Sequence, residues 1–111
     1  MIDFEDLGYT DITKEKPIHF HECLRDFFDS TYPYSNRFYK QDTNITTELM
    51  VGNCHSIWFI AGTCYYHGGW EKFEVCAPEC YIDKMFTQTL NAVKLKIKEK
   101  IVKHYETINN S

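Results

Sequence analysis

Arginine is nearly missing from this chain: ten of its 12 basic residues are lysine, and only Arg25 and Arg37 are arginine. Phosphates and base edges are read best by the planar arginine fork, so the shortage argues against a nucleic-acid reader. Long apolar runs are missing too. The start, Met1-Ile2-Asp3-Phe4-Glu5-Asp6, has neither the basic residues nor the apolar core of a secretion signal. A cytoplasmic protein with no membrane segment is expected. Five cysteines, an odd number, agree with a reducing compartment, since a secreted scaffold usually carries an even set. Catalytic signatures are lacking as well. There is no phosphate loop, no glycine-rich dinucleotide turn, no His-Glu-x-x-His helix and no carboxylate pair at informative spacing, so no enzyme activity is expected.

What is present suits one compact domain over residues 1–111. The chain is 43% hydrophobic and 16% aromatic, enough to bury a real core with aromatic area to spare for an interface. The net charge of -4 is unevenly spread, with 13 acids against 6 bases over residues 1–79 and 3 against 6 over residues 80–111. An acidic body with a basic tail repels phosphate over most of its surface.

Residues 1–16 show no steady period and read as an irregular acidic arm. Pro17 suits a first helical position, and Ile18, His21, Leu24, Phe27 and Phe28 recur at helical spacing, which predicts a helix over 17–31. Asp29 to Asn36 reads as loop, with a short extended piece over Arg37 to Lys40. A three-stranded sheet is expected over 44–77, its first turn at Gly52-Asn53 and its second at Gly68-Gly69, where positive φ angles come at no steric cost. The second turn sets a register in which His67 faces Trp70, Tyr65 faces Lys72 and Cys64 faces Phe73. One hairpin face then carries Trp58, Ile60, Cys64, Phe73 and Val75, and the other Ile57, Phe59, Tyr65 and Trp70. Pro78 ends the last strand, and apolar residues from Ile82 to Ile108 step by three or four, predicting a long helix over 81–108 that bends or projects. The expected fold is α+β in the order α-β-β-β-α, a three-stranded antiparallel sheet with an N-terminal helix and a long C-terminal one.

A hairpin apolar on both faces needs two covers, or offers one face for binding. Ile57, Phe59, Tyr65 and Trp70, with His67 and Lys72 at the rim, therefore form a candidate protein-binding face, and Asp3, Glu5 and Asp6 a candidate contact for a basic partner such as a nucleic-acid-processing enzyme. The alternative is that the arm or the loop from Tyr32 to Tyr39 covers that face. Cys54, His55, Cys76 and Cys80 fall at one end of the sheet and are candidate zinc ligands, although Cys76-x3-Cys80 lacks the two-residue knuckle spacing; no other cofactor is expected. His19, His21 and Cys23 fan apart on a helix and cannot share a metal there. Cys54 with His55 and Cys64 with His67 are the local nucleophile pairs, without a supporting signature.

The residues thus favour a small protein-binding module. Compact, acidic and motif-free, it has the general profile of inhibitors that phages and mobile elements direct at CRISPR effectors or restriction enzymes. Alternatives are a zinc-stabilised module, a nucleic-acid binder using Lys94 to Lys103, and a homodimer formed through the long helix.

Overall fold

The computed structural model describes residues 2–14 and 34–109, with side chains over 2–14 and 36–104. Five strands, β1 (Thr10–Asp11), β2 (Tyr34–Gln41), β3 (Thr46–Cys54), β4 (Ile57–Tyr66) and β5 (Gly69–Pro78), form one sheet in sequential order, every neighbouring pair antiparallel. A single uninterrupted helix, α1 (Glu79–Asn109), follows Pro78 directly. This corrects the three-stranded expectation: the stretch read as loop and short extended piece is a full strand, and the arm supplies a two-residue strand at its edge. The helix expected over 17–31, with the His19-His21-Cys23 run, lies outside the described residues.

The last hairpin turns one residue earlier than expected. Tyr66 pairs with Gly69 and Gly62 with Phe73, so the loop is His67-Gly68 and the register moves by two residues. Because side chains alternate with period two, this slip leaves both faces as read. Gly68 alone in that loop has a positive φ, 106°. The preceding turn is His55-Ser56 rather than Gly52-Asn53, and both residues sit at positive φ, 51° and 67°. Asn-Gly would occupy such a turn at less strain.

The core lies between the sheet and α1. One cross-strand row runs Phe38, Leu49, Gly62, Phe73. Gly62 is required there, because a Cβ would stand 2.4 Å from Phe73 Cζ and 2.8 Å from Leu49 Cδ2. The two side chains lean over the bare backbone, and the Phe86 ring of α1 packs 6.3 Å from that of Phe73. Ile82, Phe86, Leu90 and Ile97 form the buried stripe of the helix over β4 and β5.

The arm packs on this same side. Phe4 stacks on Phe38 at 4.7 Å and meets Phe86 edge-on at 5.6 Å, so it joins the outer part of the sheet to the helix. Tyr9 lies edge-on to Phe4 at 5.9 Å, and Lys40 holds the segment by donating to the Leu7 carbonyl at 2.8 Å. The Tyr9 hydroxyl is buried without a hydrogen-bond partner, and burial pushes its pKa up.

Two substitutions of opposite sign follow from this packing. Phe4→Ala should lower unfolding free energy in urea by about 3 kcal/mol, by removing a buried aromatic that touches arm, sheet and helix. Tyr9→Phe should raise it by about 1 kcal/mol, since it deletes an unsatisfied buried hydroxyl and keeps the ring.

Candidate functional site

The sheet face expected to bind is largely closed. Met50, Ala61 and Thr63 are fully buried at its centre, and Ile57, Phe59 and Tyr65 are half-buried. Among the described residues neither of the covers weighed from sequence lies on it: residues 2–14 of the arm pack on the helix side, and residues 34–41 are a strand of the sheet itself. Among the described residues the face opens along β5, where Trp70 is 37% exposed beside exposed Lys72, Glu74 and Cys76, and at its ends at Gln41 and Cys54. His67 stands apart from these at the hairpin turn. Asp3, Glu5 and Asp6 are exposed in the arm, where the Asp6 N–H donates to Asp3 Oδ1 at 3.1 Å.

Cysteine chemistry finds little support. Cys54, Cys76 and Cys80 are exposed, and His55 sits in the strained turn, but among the described residues no three His, Cys, Asp or Glu side chains converge as metal ligands do. Cys64 is fully buried on the helix side, 3.7 Å from the Thr47 hydroxyl, and burial pushes its thiol pKa up. A protonated, enclosed thiol is a poor nucleophile.

Two surfaces of α1 stand out instead. At 3.6 residues per turn, Tyr81, Met85, Leu95 and Val102 fall within an arc of about 100° opposite the buried stripe. They are 61%, 41%, 58% and 51% exposed, and only Leu7 and Trp70 join them as exposed large apolar side chains among the described residues. Leu95 and Val102, with Lys98, Glu99 and Lys103, border a shallow depression of about 360 Å³.

The second surface lies where the helix passes the end of the last hairpin. A ten-residue strand extends roughly 34 Å, while 31 helical residues extend roughly 46 Å, so α1 must overrun β5. Glu71, on the helix side of β5, accepts from Lys96 at 3.3 Å and from Lys100. Beyond that pair lies a cavity of about 440 Å³ between the overrunning helix and the turn, lined by Lys100, Ile101 and His104 from the helix and by Tyr66, His67 and Asn44 from the hairpin ends. Sequence reading placed His67 on the sheet rim and missed this grouping. Its one signal was a carboxylate, Glu71, among the inward positions of a hairpin whose neighbours on that face are apolar.

No helix of the described residues is long and apolar enough to cross a membrane. Comparison with family models, curated proteins and solved structures finds no match to this chain.

The Glu71 cluster sets a pH dependence. Hydrogen bonding from Lys100 lowers the Glu71 pKa, and the same bond raises that of Lys100. A depressed carboxyl stabilises the fold above its unfolded pKa, about 4.3, and loses that contribution as pH falls through the lower folded value. Lys100 behaves oppositely, contributing below its ordinary pKa and losing it only at strongly basic pH. Wild type should therefore exceed Glu71→Gln in stability by a constant amount, below about 1 kcal/mol, across neutral pH. In urea titrations the two should converge on acidification below about pH 4.

Proposed function

We propose that this chain is a non-catalytic protein-binding module that receives an amphipathic, acidic segment of another protein on the outer face of α1. The observation that carries the reading is the concentration of exposed apolar side chains: of the six large ones among the described residues, four lie on that one face of one helix. A helix needs one apolar stripe to pack on its own sheet, and α1 has a second stripe on the opposite side. Lys84, Lys98 and Lys103 flank the outer stripe, with Glu99 the one acid between Leu95 and Val102. Two such helices facing each other would bring lysine against lysine, so a foreign acidic segment suits the surface better than a second copy does. The exposed acids Asp3, Glu5 and Asp6 would steer a basic region, but charge without an apolar centre steers more than it specifies.

Occlusion of a partner's surface, as in an inhibitor of a host enzyme or defence effector, needs no chemistry and fits a chain whose buried thiol is silenced. Nucleic-acid binding through Lys94 to Lys103 is less well supported. Lys96 and Lys100 are engaged by Glu71, and Lys94 pairs with Asp42 at 3.4 Å.

Parallel affinity capture from lysate, with wild type and with Leu95→Asp/Val102→Asp, tests the reading. Both positions are exposed, so the variant should keep its thermal midpoint within a few degrees while its affinity for the captured partner falls at least about ten-fold. A partner held equally by the variant, or lost instead with Trp70→Ala, would move the site to the β5 edge. A dimer of this chain dispersed by the same variant would identify the stripe as self-association.

A further inference from the structure

We propose that the cavity between the overrunning helix and the β4–β5 turn binds a small organic anion, a phosphate or carboxylate carried on a flat or apolar body. This site is separate from the docking stripe. Lys100, Ile101 and His104 lie on the inner side of the helix, whereas Leu95 and Val102 lie on the outer one.

The lining has the chemistry of an anion site. At about 440 Å³ it falls within the range of small-molecule pockets. Its polar groups are the Lys100 ammonium, the imidazoles of His67 and His104, the Tyr66 hydroxyl and the Asn44 amide. All of these can donate hydrogen bonds, and an imidazole does so in either protonation state. No carboxylate lines the cavity among the described residues.

The charge just outside it points the same way. Glu71 is only 16% exposed and bonds both Lys96 and Lys100, so two positive charges are fixed by one negative and the group carries a surplus of one. Glu71 bonds the Lys100 ammonium at the cavity's flank, so its carboxylate competes with an incoming anion for that cation. The Tyr66 ring and Ile101 supply the apolar wall against which the body of the ligand rests. Inorganic phosphate alone would fill little of this volume and leave that wall unused.

The full chain can be titrated with phenyl phosphate, inorganic phosphate and phenol while the imidazole resonances of His67 and His104 are followed by NMR, assigned through His67→Asn and His104→Asn. Phenyl phosphate should shift both sets saturably. Inorganic phosphate should bind at least about five-fold more weakly, and phenol should leave them unmoved. Lys100→Met should weaken phenyl phosphate at least about ten-fold.

Because that variant also removes one of the two partners of Glu71, Glu71→Gln supplies an independent reading. It deletes a competing negative charge a few ångströms from the ligand, and binding should tighten about five-fold, the effect of one unit charge at that range in a well-screened site. Non-saturating shifts common to every anion, undiminished binding in Lys100→Met, or unchanged or weaker binding in Glu71→Gln would overturn the proposal. So would shifts seen only with a single-stranded oligonucleotide, which would assign the same groups to a nucleic acid.

Discussion

A five-stranded antiparallel sheet is wider than one helix can cover, and that mismatch governs the rest of this molecule. Strands about 4.8 Å apart make a sheet roughly 20 Å across, against a helix about 10 Å wide. α1 lies over β4 and β5, which leaves the helix side of β2 and β3 to be closed by something else. Phe4 and Tyr9 of the arm do this, and Phe4 touches the sheet through Phe38 and the helix through Phe86. The backbone prepares it: the Phe4 carbonyl accepts from the N–H groups of Leu7 at 3.1 Å and Tyr9 at 3.0 Å, so the turn that carries the ring is closed locally before it packs. The arm then runs on as β1 and covers the outer edge of β2, where unpaired backbone groups would otherwise stand open.

The parts of the fold legible in sequence were those set by periodicity. Both faces of the last hairpin and the buried stripe of α1 follow from alternation and from the three-and-four spacing. A two-residue slip in register left the faces intact because it preserved parity. β2 was not legible, since Tyr34-Ser35-Asn36-Arg37-Phe38-Tyr39-Lys40-Gln41 has the composition of a loop. Its only core-facing apolar anchor among the described side chains is Phe38, while Arg37 is held by its guanidinium donating to the Ile12 carbonyl at 3.1 Å. Tertiary pairing with β3, rather than propensity, makes that segment a strand. The His55-Ser56 turn was hidden for a related reason. Neither residue advertises positive φ, and the better turn signal three residues earlier, Gly52-Asn53, falls inside β3.

The same limits explain the candidate sites. A hairpin apolar on both faces implied a cover or a partner for each, but not which of the two the second face would have. Burial of Met50, Ala61 and Thr63 shows that the centre of the second face is closed, so the surplus apolar area has to be sought elsewhere. It lies on α1, whose outer residues Tyr81, Met85, Leu95 and Val102 fall outside the stripe read from the three-and-four spacing and were not weighed as a surface. The partners of Glu71 were likewise unreadable, because they are 25 and 29 residues away and on a different element.

Overrun of the sheet by the helix links these features. A helix as long as β5 would span about 23 residues and end near Ile101, one turn past Ile97, the last fully buried residue among the described side chains. The extra turns have no sheet beneath them, so their inner side faces the hairpin turn across an open space, and their outer side carries apolar residues that nothing in the described chain covers. Glu71 sits where the support ends. By bonding Lys96 and Lys100 it fixes the helix to the last hairpin at the point where apolar packing gives out, and it does so with hydrogen bonds that survive exposure to water less well than a packed side chain would. An anion bound at Lys100, as proposed, would compete with Glu71 for that ammonium, and a partner on the proposed outer stripe would bear on the same turns from the other side.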